Sequence, residues 1–273
     1  MTDPRVVDFY SKGTYERDRL QMGRGQLELL RTQRLLRRVL PAPPARVLDV
    51  GGGPGTHAAW LAGDGYHVQL IDLVPELVAQ ARQLAGDPPA FAARQGDARE
   101  LDEPEDSADV VLLLGPLYHL PDSADRRRAL EQARRVLRPG GLLATTAVNR
   151  FAGLLDQMRA RRLDDERVER LRAGPLRDGC VSDSREFTTA YLHRPGELSA
   201  ELAAAGLAAV EEFAVEGPGW MLFDTPLPEG SPGTPDDPEL VEHAARCAAL
   251  VEQEPSLLGA SAHLLAIGRE PGL

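Results

Sequence analysis

Residues Arg46 to Ala62 read RVLDVGGGPGTHAAWLA, and no other stretch restricts the possible folds as much. A short aliphatic run ends in four glycines and a proline, and a helical pattern follows at 55–63. The run has the length of a buried strand, and the glycines allow a turn at which a ligand can approach the backbone closely. A helix that starts there offers unpaired amides to a carboxylate or phosphate. Similar apolar runs recur as HVQLI (67–71), AFAARQ (90–95), ADVVLLL (108–114) and GLLATTAV (141–148), with helical patterns at 75–85 and 123–138 between them. This alternation predicts a parallel sheet covered by helices on both faces.

The flanks have a different rhythm. Residues 16–40 carry leucines at helical spacing and stop at the PAPPA segment, where proline cannot continue a helix. After Val148 an Arg- and Asp-rich helical stretch runs from 150 to about 177. Two further strands are expected at 207–215 and 262–269, bracketed by helices near 195–205 and 238–254. The Gly- and Pro-dense segment from Gly217 to Pro238 reads as an irregular loop. With 273 residues and 42% apolar content, the chain can bury one sizeable core. The expected organisation is a helical lid over 1–40 and a ligand-binding domain over 41–273 with an insert at 150–195.

Charge and cysteine usage narrow the partners. Thirty-one basic against 42 acidic residues give a net charge of −11, which repels nucleic acid and anionic lipid surfaces. The first residues, MTDPRVVDFYSKG, show no secretory signal pattern, and no run approaches a membrane span, so a cytoplasmic protein is expected. Cys180 and Cys247 lie far apart, outside any CxxC or histidine cluster, and predict neither a disulfide framework nor a zinc site.

The glycine turn discriminates between cofactors. In the dinucleotide pattern G-x-G-x-x-G counted from Gly51, the third glycine falls on Thr56, so the pattern fails. The spacing present is G-x-G-x-G through Gly51, Gly53 and Gly55, two residues after Asp49. Asp72 closes the second strand, where a carboxylate can accept hydrogen bonds from both hydroxyls of a ribose. Asp97, in QGDAR, closes the third.

With these segments in order, the chain resembles the class I S-adenosylmethionine-dependent methyltransferases. VLDVGGGPGT is similar to their first motif, VQLIDLVPELVAQAR to the second, RQGDAR to the adenine-contacting segment, ADVVLLLGPLYHL to the fourth and ARRVLRPGGLLATTAV to the approach to strand five. The resemblance covers about 45–148 and implies a seven-stranded, mostly parallel α/β sheet in the order 3-2-1-4-5-7-6, last strand antiparallel, with S-adenosyl-L-methionine as cofactor. It implies cofactor contacts from Asp49, Gly51, Gly52, Gly53, Gly55 and Thr56, from Asp72 and Leu73, from Gly96, Asp97 and Ala98, and from Leu114, Gly115 and His119. LLGPLYHL lacks the Asn- or Asp-Pro-Pro-aromatic signature of enzymes that methylate amino groups of bases or glutamine, which disfavours base N-methylation.

The expected reaction is O- or N-methylation of a small molecule, possible for a secondary metabolite, by a monomer or homodimer that needs no metal. A sulfonium donor already carries the activated methyl group, so the protein must chiefly align an acceptor and exclude water. Arg24 or Arg31 is expected to meet the methionyl carboxylate, with a surface ion pair to Glu28 as the plain alternative. Tyr10, Tyr15, Tyr118, Tyr191 and Trp220 are the candidate acceptor contacts, with packing as the ordinary role for Trp220. His193 is the first candidate general base and His119 the second, because a neutral imidazole can take the proton of an oxygen acceptor. His57, His67, His243 and His263 read as scaffold, and Arg126–Arg128, Arg134, Arg135 and Arg138 as a solvated helix face. The alternative function is binding of S-adenosylmethionine without methyl transfer, as a sensor or a cyclase. An NAD-linked oxidoreductase is disfavoured by the glycine spacing.

Overall fold

The structure is a computed structural model that describes residues 4–11, 18–181, 188–223 and 237–272. Its centre is a seven-stranded sheet built from β1 (Arg46–Val50), β2 (His67–Asp72), β3 (Ala92–Gln95), β4 (Ala108–Leu113), β5 (Leu137–Val148), β8 (Ala208–Ala214) and β9 (His263–Arg269). The order is β3-β2-β1-β4-β5-β9-β8. Counted within the sheet this is 3-2-1-4-5-7-6, and β9 runs antiparallel to both of its neighbours. Two short strands, β6 (Cys180–Val181) and β7 (Ala190–Tyr191), pair separately in the insert.

The strands read as unbroken apolar runs because the sheet is covered on both faces. Leu48, Val50, Val111, Leu113 and Leu143 enter one core cluster. Their alternating neighbours Val47, Val110, Leu112 and Leu142 enter the other. Parallel register sets Asp49 beside Leu70 and Leu112, and Asp72 beside Gln95, so both carboxylates arrive at the carboxyl ends of the strands. In an open α/β sheet that edge is where ligands bind.

The helical preface divides in two. The helix Pro4–Tyr10 sends Val6 and Tyr10 toward the carboxyl edge of the sheet. The helix Arg24–Arg37 instead buries Leu35 and Leu36 in the core, each worth about 1.5–3 kcal/mol of apolar burial. Leu27 on the same helix joins a third cluster with Trp220, Phe223, Val241 and Ala244. Ion pairs Arg31–Glu252 at 2.6 Å and Arg34–Glu242 at 2.6 Å tie this helix to Pro238–Leu250 and the turn after it. In the insert, the helix Asp165–Ala173 buries none of its residues. Among the described residues no helix is long and apolar enough to cross a membrane.

The helix Ser123–Val136 departs from the expected solvated basic face. Arg126 is only 4% exposed. Its guanidinium donates to the carbonyls of Leu120 and Pro121 and to Glu201, and lies 3.8 Å from the Tyr191 ring centroid. Charge alone does not reveal this, because an arginine whose guanidinium finds carbonyl and carboxylate acceptors can be buried. Both cysteines are free, Cys180 half-buried and Cys247 exposed.

Candidate functional site

A cavity lies over the carboxyl ends of β1, β2 and β4, under the helix Pro4–Tyr10. Its floor is the glycine turn. Gly51 has φ +72°, and a Cβ there would stand 2.4 Å from the Pro116 ring, so glycine is required on two counts. Gly55, at φ +97°, starts the helix Thr56–Gly63, and a Cβ on it would meet the Phe91 ring at 2.9 Å. Gly55 thus shapes the turn from behind, outside the cavity wall. Asp49, Gly51, Gly52, Gly53, Thr56, Asp72, Leu73, Gly96, Asp97, Ala98, Leu114, Gly115 and His119 all line the cavity.

The acidic residues are held differently. Asp72 is buried, and its carboxylate accepts the Gly53 amide at 2.8 Å and the Val74 amide at 2.9 Å. This fixes its orientation at the end of β2. Asp97 is engaged by Arg99, whose backbone amide and guanidinium both reach its carboxylate, and Arg99 also holds Asp125 at 2.7 Å. Asp49 is fully buried, and neither of its oxygens has a hydrogen-bond partner among the described residues. Burial and the Asp72 carboxylate push it up to about 7, with the Ala58 amide offsetting part of the rise.

The roof contains Tyr10, Tyr118 and His119. Tyr10 Oη lies 2.8 Å from His119 Nε2, and His119 Nδ1 lies 3.5 Å from the Thr189 carbonyl. Burial lowers His119 to about 4, against a smaller opposing effect of the Thr189 carbonyl, so its imidazole is neutral at ordinary pH.

Several expected contacts lie elsewhere. His193 is completely buried behind the roof, its Nε2 3.3 Å from Glu201, and it is absent from the cavity wall. Its backbone bridges to Asn149 just after β5. Tyr191 is stacked beneath Arg126 and bonded to Arg150 and Glu197, and does not line the cavity. Trp220 is 1% exposed in the third core cluster and donates to the Ala260 carbonyl at 2.8 Å. Arg31 is buried against the Val215 carbonyl and Glu252, and Arg24 pairs with Asp156 near the Trp220 ring. Neither reaches the cavity wall. Tyr15 lies outside the described residues.

The preface arginine that does line the cavity is Arg19, paired with Glu28 through both carboxylate oxygens. His57, expected as scaffold, lines it too, and burial lowers it to about 4 despite the nearby Glu28. Behind them His263 Nδ1 contacts Glu216 at 2.5 Å and stands 3.8 Å from Glu28. Glu28, Glu216 and His263 have metal-ligand types, but their donor atoms are engaged in this network of ion pairs. The only advance signal for Arg19 was its position in the preface, shared with Arg24 and Arg31, so sequence alone could not choose among the three.

This sheet order, with an acidic residue near the end of each of the first two strands beside a glycine turn, is the fold that the resemblance to class I S-adenosylmethionine-dependent methyltransferases implies. Residues 47–141 match the family model described as a methyltransferase domain. An uncharacterized methyltransferase of Mycobacterium tuberculosis is 37% identical over 105 residues, which are 38% of this chain and 40% of that protein. A ubiquinone biosynthesis O-methyltransferase of Xylella fastidiosa is 37% identical over 108 residues, 39% of this chain and 43% of that protein. The chain thus spans about two fifths of the curated relatives it matches. Among solved structures, a methyltransferase of Thermotoga maritima, titled as a possible histamine N-methyltransferase, superposes with a TM-score of 0.59 at 18% identity, over 98% of this chain and 99% of the other. That likeness concerns the fold.

The cavity suits the cofactor on its own chemistry. Asp49 is a buried carboxylate on the cavity wall whose oxygens have no hydrogen-bond partner among the described residues, and Gly51, Gly52 and Gly53 present backbone and no side chain to the cavity.

Proposed function

We propose that the protein transfers the methyl group of S-adenosylmethionine to a small molecule. The observation that carries this reading is the cavity itself, where the glycine turn, Asp49 and Asp72 meet a roof bearing Tyr10, Tyr118 and His119. Asp72, oriented by two amides, would hold the ribose hydroxyls; Leu73 and Ala98 would flank the adenine. Arg19 replaces Arg24 and Arg31 as the group to meet the methionyl carboxylate. The cofactor supplies an activated methyl group; the protein's part is to align an acceptor beneath the roof and exclude water.

A small acceptor is supported by the enclosing roof of helix and side chain, and by the quinone-related relative of Xylella fastidiosa. An oxygen acceptor is favoured over a nitrogen one by His119, a neutral imidazole at the cavity whose Nε2 can take a proton once the Tyr10 hydroxyl gives up its place there. The cytoplasm fits a chain that draws on a cytosolic cofactor. The test is to supply the purified protein with S-adenosylmethionine and the small-molecule fraction of a cell extract. Formation of S-adenosylhomocysteine that depends on that fraction supports transfer, and tight binding without product would favour the sensor or cyclase reading.

A further inference from the structure

The side chain of Tyr10 is a phenol that the protein itself places on His119. Its Oη stands 2.8 Å from His119 Nε2, and both residues line the cavity. His119 Nδ1 faces the Thr189 carbonyl, so Nε2 accepts and the hydroxyl donates. The ring is seated as well as the hydroxyl. It meets the imidazole edge-to-face with centroids 5.2 Å apart, and the Tyr118 ring packs on the same imidazole at 4.5 Å. Val6, one helical turn before Tyr10, adds apolar surface to the cavity with Leu20 and Leu120. His119 itself is built onto the glycine turn. It ends the one-turn helix Pro116–His119, and the Pro116 ring is what a Cβ on Gly51 would strike. The Tyr118 hydroxyl and the Gly51 carbonyl lie 3.6 Å and 3.4 Å from where a Cβ on Gly115 would stand. Tyr10, in contrast, arrives on the separate helix Pro4–Tyr10.

The geometry points to a phenol as the methyl acceptor: its hydroxyl replaces that of Tyr10 on His119 Nε2, and Tyr10 holds the place until it arrives. This rests on the methyltransferase reading above. In the transfer step the phenolic oxygen bonds to the methyl carbon as the carbon–sulfur bond breaks. The electron pair of that bond stays on sulfur, leaving a neutral thioether, and the phenolic proton passes to Nε2 and from there to solvent. A phenol suits the seat by shape, because a ring keeps the edge-to-face contact with the imidazole. It suits it by acidity too, since a phenolic hydroxyl, with a pKa of about 10, yields its proton more readily than an aliphatic alcohol. The charge of the wall agrees. Among the described lining residues the arginines are Arg19 and Arg99, both bonded to carboxylates, so an acceptor bearing a carboxylate or phosphate would compete with an existing ion pair.

The test uses 4-methylphenol, the tyrosine side chain as a free molecule, titrated calorimetrically into the full chain with S-adenosylhomocysteine present. Tyr10→Ala empties the seat and is expected to bind 4-methylphenol at least about tenfold more tightly than the wild type, as a cavity left by a removed side chain takes up a matching solute. Tyr10→Phe gives up only the competing hydroxyl and is expected to gain about fivefold, which keeps the comparison open should Tyr10→Ala not fold. In both variants the His119 imidazole signals are expected to shift as 4-methylphenol is added, followed by NMR. With S-adenosylmethionine as the cofactor, Tyr10→Ala is expected to form 4-methylanisole. Equal affinity in the wild type and the variants takes Tyr10 out of the acceptor's place and overturns the proposal. Equally tight binding of toluene, 4-methylcyclohexanol or 4-methylaniline overturns the phenol as the acceptor class, as does bound 4-methylphenol that is never methylated. Failure to bind either S-adenosylmethionine or S-adenosylhomocysteine strikes instead at the methyltransferase reading, and titration of 4-methylphenol without cofactor still reads the seat.

Discussion

Tyr10 Oη and His119 Nε2, 109 residues apart in sequence, meet at 2.8 Å in the roof of the cavity. With His119 Nδ1 turned to the Thr189 carbonyl, Nε2 is the acceptor and the Tyr10 hydroxyl donates. One hydrogen bond therefore joins the preface helix to the segment after β4. His119→Ala is expected to lower turnover of a hydroxyl acceptor at least 10²-fold, the usual loss for a general base. Because burial holds His119 at about 4, wild-type turnover stays flat from pH 8 down to about 5. A variant that keeps turnover within about tenfold rules out this role. Tyr10→Phe, which removes a bond worth about 1 kcal/mol, is expected to speed dissociation of S-adenosylhomocysteine about fivefold in stopped flow.

The two preface arginines Arg19 and Arg31 predict opposite phenotypes. Arg19→Gln is expected to weaken S-adenosylmethionine binding by about 1.5–3 kcal/mol, the range for a charge-assisted bond, with a smaller loss of stability than Arg31→Gln because the Arg19–Glu28 pair is the more exposed. Arg31→Gln leaves Glu252 and the Val215 carbonyl short of their buried donor. It is expected to destabilise the fold by about 3–5 kcal/mol while the folded fraction binds normally. Calorimetry alongside thermal melts distinguishes the two, and an exchange of phenotypes refutes the assignment.

Asp72→Ala is expected to weaken cofactor binding by roughly 2–4 kcal/mol, from two lost charge-assisted bonds partly replaced by water. The same change leaves the Gly53 and Val74 amides without their carboxylate, so a melt must accompany the titration. A folded variant of unchanged affinity would end this assignment.

How much of this was legible in the sequence differs by element. The strands follow from the apolar runs, since burial on two faces leaves little freedom in composition, whereas the sheet order came from the family resemblance and not from the runs themselves. Asp49, Asp72 and the glycines share one edge because parallel register carries every strand end to the same side. His193, Tyr191 and Trp220 misled because chain position does not fix side-chain direction: each sits near the roof in sequence and points into packing. Arg19 was hidden for the converse reason: its place in the cavity depends on how the preface folds back on the sheet, a long-range contact without a local pattern. His57 had a local signal, its place beside Thr56 at the start of the helix after the glycine turn, but was read as scaffold.

Stability is expected to depend on pH in two directions. His57 and His119 have folded values lowered to about 4, so their contribution is complete above an unfolded value near 6.5 and is lost as pH falls toward 4. Each is worth up to about 1.4 kcal/mol per pH unit across that window. Asp49, raised to about 7, works in the opposite sense over the same range and cancels one of the two. For His263 burial disfavours the charged ring, but Glu28 and Glu216 outweigh it and raise its value. Its contribution is complete below about 6.5 and declines as pH rises through the raised value. Melting temperature is therefore expected to peak near pH 6.5. His57→Asn flattens the acid side and His263→Gln the alkaline side, and a wild-type profile that rises steadily to pH 9 contradicts this account.

The central claim, transfer of a methyl group from S-adenosylmethionine to a small molecule, is tested most directly by where a labelled methyl group goes. The purified protein is incubated with methyl-tritiated S-adenosylmethionine and whole-cell extract, and label is then counted in the small-molecule, protein and nucleic-acid fractions. Enzyme-dependent label in the small-molecule fraction, apart from the cofactor and matched by S-adenosylhomocysteine, is the predicted result. Label confined to protein or nucleic acid, or full cofactor binding with no label moved at all, would contradict it.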